Sequence, residues 1–401
     1  MSNTQKPFVK GYKYRIYPTT DQIELLNKTF GCVRYVYNRA LAEAKLEYEN
    51  YLALKNANTL IPPTVPSNTG YAFINKLSGY KSDPETLWLK EVDSVALQQS
   101  MLHLGSSFSK FFKERKGYPK FKNKHGHQSF SLMTNSFRFK DKDLFISKSK
   151  ESLKVIYDRP LPSAPSSAAI SRTPTGKYYI GFVCEYIPVV TTGTKETGID
   201  LGIKDFIVTS DSLRIANPKH LKQQQYNLKR KQQSLSRKCK GSKNRNKARI
   251  KVALIHESIT NQRRDFLHKL STKLINENQV IGLEKLKVSN MVKNRRLSKS
   301  ISDVAWSTFT RMLEYKAVAS QHCNIVYMDL WYPSSHICNI DGYKLDYKLK
   351  LSDREWICPQ CDTVHDRDIN AAINIRNEAL KALVVHGATK ARGCIILASN
   401  K

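Results

Sequence analysis

The sequence predicts a mixed α+β protein of more than one domain, with a strand-rich N-terminal part that carries a helical insertion and an α/β part after it. Three observations lead there. The chain has 401 residues, too long for one ordinary domain. Its hydrophobic period switches from two to 3.6 and back along the first half. In the second half the short apolar runs GIDLG and QVIGLE read as strands, with helix-forming sequence between them. The expected organisation is a small β-barrel built from about 1–15 and 117–190, a helical insertion over about 16–116, and a second domain over 191–401.

Residues 7–18, PFVKGYKYRIYP, alternate like a strand. The next stretch, TTDQIELLNKTFGCVRYVYNRALAEAKLEYENYL, has helical spacing, with Thr20 or Asp21 as the expected N-cap. Residues 55–85 are polar and contain Pro62, Pro63, Pro66 and Gly70, so they read as a surface loop. Helical period returns over 94–116. Between 130 and 190 the segments SFRFK, LFIS, LKVIY and KYYIGFVCEYIPV are strand-like and separated by turns, which could close on the first strand as a barrel. TTGTKET (191–197) reads as a linker.

Charge sets the class of partner. There are 66 Lys and Arg against 34 Asp and Glu, a formal +32. A solvated basic face explains an excess of a few charges, but +32 implies self-repulsion that a polyanion would relieve, so a nucleic acid is expected. Two clusters carry it. KFFKERKGYPKFKNK (110–124) interleaves Lys110, Lys113, Arg115, Lys116, Lys120 and Lys122 with Phe111, Phe112, Tyr118 and Phe121, which suits base stacking with phosphate neutralisation. The plainer reading buries the two Phe and leaves the cations outside. The second cluster includes Lys229, Arg230, Lys231, Arg237 and Lys238, in a stretch (212–256) that contains no acid and so cannot neutralise itself by i,i+4 pairing. A break is expected near Gly241. No run of 18 apolar residues and no apolar leader is visible, so a reducing, cytoplasmic setting in a prokaryotic cell, with action on the nucleoid, is expected.

Three acids stand at otherwise apolar positions. Asp200 lies between Ile199 and Leu201, Glu284 ends the strand-like QVIGLE, and Asp368 heads a helical face with Ala371, Ala372 and Ile375. A carboxylate at such a place is costly unless a cation neutralises it. One alone is weak evidence, and Asp205 reads as an ordinary turn residue. Strand, later strand and C-terminal helix is the order in which an RNase H-like fold gathers carboxylates around two divalent ions. Two Mg²⁺ about 4 Å apart would activate a water and stabilise the leaving oxygen of a phosphodiester. Hard oxygen ligands suit that ion.

GIDLG, IGLEKL and HDRDINAAINI resemble the three RuvC motifs of TnpB, the family of transposon-encoded RNA-guided nucleases related to type V CRISPR effectors. The resemblance continues through YKYRIYPTTDQIELLNKTFGCVRYVYNRAL, WLKEVDSVALQQS, FFKERKGYPKFKNK and DVAWSTFTRMLEYKA (303–317), and so spans most of the chain. It implies a RuvC nuclease domain holding Mg²⁺ on Asp200, Glu284 and Asp368, a guide RNA and a double-stranded DNA target as partners, and a zinc-ribbon insertion at about 333–365. Asp366 would be structural. The family pattern places a second C-x-x-C before Cys358-Pro-Gln-Cys361. Here Cys338 is present, but Asp341 stands at the other cysteine position. Asp can ligate zinc through oxygen, and His336 or His365 could also serve. Without metal, packing of Trp356, Tyr343 and Leu351 would have to hold the segment. Cys32, Cys184, Cys239, Cys323 and Cys394 read as ordinary thiols, and the tail after Ala391 has no reading. Two other functions fit an acidic triad on a basic chain: a transposase that itself joins strands, and a non-cleaving RNA-guided repressor.

Overall fold

The computed structural model describes residues 7–57, 64–141, 143–188, 192–295, 297–350, 352–385 and 394–396. The chain divides into two compact units, Met1–Ile187 and Pro188–Lys401.

The first unit opens with β1 (Phe8–Tyr17) and α1 (Thr20–Asn56). The N-cap of α1 is Thr19, one residue before the expected position. Its hydroxyl accepts from Gln22 N–H, while the Gln22 side chain accepts from Thr19 N–H. This reciprocal capping box outweighs a lone acid in the first turn. The stretch expected to be a loop contains α2 (Gly70–Ser82), which buries Phe73, Leu77 and Tyr80 on one face. Three apolar residues at i, i+4 and i+7 suffice there because Thr69 caps the helix. A 3₁₀ segment over Pro84–Glu91 leads to α3 (Ser94–Glu114), which stops at Arg115 in the left-handed region.

Seven strands follow or join: β2 (Gln128–Met133), β3 (Phe137–Lys140), β4 (Asp143–Ile146), β5 (Lys154–Ile156), β6 (Ser167–Arg172) and β7 (Tyr178–Tyr186), with β1. They do not close into the expected barrel. Five form an open antiparallel sheet in the order β2-β6-β7-β1-β5, and β3-β4 is a separate hairpin joined towards β5 only by a bridge between Leu144 and Leu153. At one edge β5 is three residues long and offers too few backbone groups to close a barrel. At the other, helices cover β2, and Phe30 of α1 packs on Phe130 at 5.3 Å.

The second unit is built on β8 (Lys195–Leu201), β9 (Asp205–Thr209) and β10 (Arg214–Ala216), an antiparallel meander. Two basic helices follow, α4 (His220–Ser236) and α5 (Lys243–Glu277), broken around Gly241, whose φ is +86°. Then come β11 (Asn278–Leu283), the short α6 (Val288–Met291) and α7 (Ser298–Val304), α8 (Trp306–Ser320) and β12 (Asn324–Tyr327). A small hairpin, β13 (Glu355–Ile357) and β14 (Val364–Asp366), precedes α9 (Arg367–Val385) and β15 (Cys394–Ile396). The main sheet runs β10-β9-β8-β11-β12-β15, with β11, β12 and β15 parallel to β8.

Strand alternation splits the core in two. Ile199, Leu201, Ile281, Leu283 and Ile325 face α5 and α8, where Leu267, Leu274, Phe309 and Leu313 meet them. Val280 and Val326 face the other way and pack on Ile375, Ala379 and Ala382 of α9. Gly198 and Gly282 share that second face, and they are direct partners in the β8–β11 register.

A Cβ on Gly198 would lie 2.0 Å from the Ala372 carbonyl oxygen and 2.4 Å from Arg376 N, so α9 can sit on the sheet only over a bare backbone. Gly198→Ala is expected to lower stability by about 2 kcal/mol or more, as overpacking against backbone does, and urea unfolding followed by tryptophan fluorescence would measure it. Gly181→Ala in β7 meets nothing nearer than the Ala169 carbonyl oxygen at 3.9 Å and serves as the near-neutral control.

Candidate active site and metal centre

Asp200 and Glu284 each lie two residues beyond one of the paired glycines, so both belong to the sheet face on which α9 sits. The first turn of α9 brings Asp368 to them. Asp366 anchors that turn: its Oδ1 accepts from the backbone N–H groups of Asp368 (3.1 Å) and Ile369 (3.0 Å), a capping role. Its Oδ2 accepts from Arg214 Nη2 at 2.5 Å, and Arg214 Nη1 also reaches Asp205 at 3.3 Å. Asp205 is therefore more than a turn residue. Asp368 Oδ2 pairs with Arg354 at 3.2 Å and with Arg214 at 3.6 Å.

Asp200 and Glu284 make no ion pair among the described residues, although the charge of Arg367 acts on both. Burial, followed by the Glu284 and Asp368 carboxylates, pushes the pKa of Asp200 well above the usual carboxylate range. Burial also raises Glu284, against the opposing pull of a hydrogen bond from Ser334 and the charge of Arg367. Three carboxylates converge here, and burial disfavours the ionised form of two of them. A hard divalent cation would relieve that conflict, so the donor set fits Mg²⁺.

Sequence reasoning missed three residues that build this site. Ser334 Oγ donates to Glu284 Oε1 at 2.6 Å and fixes that carboxylate. Asn374 holds the Ser334 carbonyl (2.9 Å), and Asn370 and Asn374 both donate to the Ile337 carbonyl. Asn370 and Asn374 are nearly fully buried. Their i,i+4 spacing among small residues in NAAIN was the available signal, because a polar pair on a buried helical face must find partners elsewhere.

The metal cluster lies just upstream of α9. One ligand atom from each of Cys338, Asp341, Cys358 and Cys361 falls within 4.8 Å of all the others. The two half-sites are built alike. Cys338 N–H donates to the Tyr343 carbonyl and Gly342 N–H returns to the Cys338 carbonyl; Cys358 N–H donates to Thr363 and Asp362 N–H returns to Cys358. Gly342 and Asp362, each following the second ligand, both take positive φ (79° and 55°). Asp341 thus occupies the place that Cys361 holds in the other half. Its Oδ1 accepts from Tyr343 N–H at 2.8 Å, which leads in keeping its pKa at about 2, and its Oδ2 lies 3.4 Å from Cys358 Sγ. Burial pushes the Cys338 thiol up to about 12, so its thiolate form needs a cation beside it.

Neither histidine completes the set. His336 is engaged with Ser335 Oγ and Leu349 N–H. His365 touches Cys338 Sγ at 3.1 Å but is not one of the four converging ligands, and its ring lies tilted against Trp356 with centroids 4.6 Å apart. Trp356 and Tyr343 do pack around the cysteines, while Leu351 lies outside the described residues. Of the scattered cysteines, Cys32, Cys184 and Cys323 are buried and Cys239 is exposed. The side chain of Cys394 and the tail after residue 396 lie outside the described residues.

Of the first basic cluster, Lys110, Lys113, Arg115, Lys116, Lys120 and Lys122 are all exposed. Phe112 and Phe121 are exposed as well, at 63% and 57%, and Phe111 is half-buried, so the ring that enters the core is Phe108. Lys122 is the most constrained, with its ammonium 4.1 Å from the Tyr37 ring centre and its backbone bonded to Asn38. On α4 and just past it, Lys229, Arg230, Arg237 and Lys238 are exposed and Lys231 is half-buried. Among the described residues, no helix is long and apolar enough to cross a membrane.

Three family models match the chain: a "Probable transposase" model over residues 180–295, a "Helix-turn-helix domain" model over 9–52, and a "Cas12f1-like, TNB domain" model over 306–375. Residues 9–52 here form a strand and one unbroken helix. A protein of Streptomyces pristinaespiralis named "Putative RNA-guided DNA endonuclease" is 40% identical over 378 residues, covering 93% of this chain and 90% of the relative. A protein of Escherichia coli K12 with the same description is 27% identical, covering 92% and 91%. The fold is similar to that of the protein in a Cas12f1–sgRNA–target DNA complex, at 14% identity and a TM-score of 0.54 over 92% of this chain.

The cluster is expected to take up one Zn²⁺ per chain in equilibrium dialysis, and Asp341→Ala is expected to weaken that binding by about tenfold or more, in line with loss of one of four ligands. Equal affinity in the variant would mean that Asp341 does not ligate.

Proposed function

The chain belongs to the TnpB family, and on that premise we propose that it is an RNA-guided DNA endonuclease whose cutting site is formed by Asp200, Glu284 and Asp368. One observation carries the assignment of the site: three carboxylates from two neighbouring strands and a helix converge, and burial raises the pKa of Asp200 and Glu284 although the charge of Arg367 acts on both. The strand order β10-β9-β8-β11-β12, antiparallel and then parallel, supports an RNase H-like reading of this unit.

In this reading Asp200, Glu284 and Asp368 hold Mg²⁺. When bound, two such ions supply an activated water and stabilise the leaving oxygen of the phosphodiester. The protein's own work is positional. Ser334 aims Glu284, and Asp366 caps the helix that presents Asp368. Arg214 and Arg354 hold the Asp368 carboxylate from outside the cluster. A cation beside Asp200 would favour its ionised form.

The exposed cations of 110–122 and of α4 would contact nucleic-acid backbones, while base pairing with a guide RNA would supply sequence specificity against a double-stranded DNA target. Zn²⁺ on Cys338, Asp341, Cys358 and Cys361 would fix the ribbon from which Arg354 reaches Asp368. A cell interior with reduced thiols suits that cluster.

Purification of the protein expressed with its native flanking DNA should yield a discrete RNA whose 3′ part matches sequence beside the gene. With that RNA, target DNA should be cut, and Asp200→Ala should reduce cutting by about a thousandfold or more while keeping the RNA, as expected for loss of a metal ligand. Loss of RNA together with activity would make Asp200 structural, and joined strands in place of breaks would mark a transposase.

A further inference from the structure

A cleft of about 870 Å³ lies between α1 and the 3₁₀ segment Pro84–Glu91 in the first unit, and none of the roles above uses it. That volume is in the range of sites for small organic groups. Its charged lining residues are Lys28, Arg34, Arg39 and Glu91. Lys28 pairs with Glu91 at 3.0 Å and Glu24 at 3.1 Å, and Arg39 with Asp83 at 3.1 Å and Glu43 at 3.2 Å. Arg34 makes no ion pair among the described residues. Its Nη1 donates instead to the neutral Gln128 Oε1 at 3.1 Å. The Gln128 amide nitrogen donates to the carbonyls of Asn123, Lys124 and Gly126, which fixes the oxygen turned to Arg34. A guanidinium without a carboxylate is thus held in place by a neutral group. Burial pushes the Cys32 thiol, also in the lining, up to about 11, so it adds no charge.

The rings of the cleft are Trp88, which is 38% exposed, and Tyr35, which meets it edge to face at 4.9 Å. The indole N–H donates to the Glu85 carbonyl at 3.1 Å, and the Tyr35 hydroxyl accepts from Arg39. The Asn38 amide is spent on both backbone groups of Lys122. The cleft therefore offers ring surface rather than free hydrogen-bonding edges. Gly31 stands in the middle of α1, where glycine is less favourable than alanine. A Cβ there would meet nothing within 4 Å, so packing within the chain does not call for glycine, and its bare backbone leaves room in the cleft.

We propose that this cleft holds one unpaired nucleotide of a single-stranded nucleic acid, with its base on Trp88 and its phosphate on Arg34. Charge selects the occupant: the uncompensated group is a guanidinium, whose planar fork suits phosphate. An exposed ring accepts the face of any base. Because the polar groups beside the rings are already engaged, the contact positions a strand without reading its sequence. The proposal rests on the nuclease reading only for the source of that strand, guide RNA or displaced DNA.

The test is ultraviolet cross-linking of the full-length protein to a short uridine-rich RNA and to a short thymidine-rich DNA, with the linked residues mapped by mass spectrometry. A cross-link on Trp88 or Tyr35 is expected. Arg34→Gln should weaken it about tenfold and lower the salt slope of binding by about 0.7, the share of one phosphate on a single strand. Gly31→Leu should fill the cleft and weaken the cross-link about tenfold, the effect of losing a stacked base. Its thermal stability should be equal or higher, since the change removes a mid-helix glycine, and a merely structural role would not combine these two results. A cross-link to RNA alone assigns the cleft to the guide, and one to DNA alone assigns it to the displaced strand. Cross-links confined to other residues, or unchanged on Trp88 and Tyr35 in both variants, overturn the proposal. Cross-linking in the cleft without guide-directed cutting would keep the nucleotide site and remove the nuclease reading. Cutting without that cross-link would do the reverse.

Discussion

The close approach of α9 to the sheet is the constraint on which the second unit depends. Two glycines stand side by side in neighbouring parallel strands, and the helix backbone passes over them. Gly282 repeats the condition at Gly198: an added Cβ would meet the Ile375 carbonyl oxygen at 2.8 Å and Ala379 Cβ at 3.1 Å. Because side chains alternate along a strand, the residue two beyond each glycine faces the same helix. Those residues are Asp200 and Glu284. The bare backbone and the carboxylates are one device, since the glycines let the helix down and the helix brings its own acid. The helix in turn carries Ala371, Ala372, Ile375 and Ala379, all buried at 2% or less. Small residues on both surfaces set the distance, and the distance sets the site.

The same helix fixes its surroundings through Asn370 and Asn374. Their amides hold the backbone at Ser334 and Ile337, so the hydroxyl that aims Glu284 and the approach to Cys338 are both referenced to α9. The candidate metal site and the acid cluster are therefore both tied to α9. Zinc there would act by excluding alternative conformations of the segment 334–368, from which Arg354 reaches Asp368. Asp341 in place of a cysteine keeps the backbone loop of a metal-binding half-site intact. It exchanges a soft donor for a hard one, whose charge is kept by a backbone N–H.

Much of this was legible because the chemistry is written against its background. An acid between Ile199 and Leu201 violates the strand pattern, and so can be found from sequence. Cys358 and Cys361 could likewise be read from their spacing, while Cys338 and Asp341 were placed by the family resemblance. Features that depend on a partner distant in sequence were not legible. Ser334 is an unremarkable serine until Glu284 is placed 2.6 Å from it. The amphipathic α2 was hidden because its polar surroundings and Gly70 dominate a local window, while its three apolar residues find their core only after folding. The barrel expectation failed for a related reason: strand count was readable, but whether the last strand has enough backbone to close on the first is a matter of register and length. Thr19 rather than Thr20 caps α1 because Gln22 completes a box, a contest between neighbours that propensity alone does not settle.

A formal +32 chain that also gathers a buried cluster of carboxylates carries two opposite demands on its surroundings. In the proposed function the exposed lysines and arginines of 110–122 and of α4 would attract a polyanion, while the cluster at Asp200 would repel it until cations occupy that site. Attraction without metal would gather nucleic acid and leave it intact. Metal without attraction would leave a charged cleft that no substrate approaches. The acid-free stretch of 212–256 begins within the meander that carries Asp200, at its last strand, so both demands are encoded within a short length of sequence. In the proposed function, cations outside and acids within would separate binding from cutting, so that hydrolysis would await the metal.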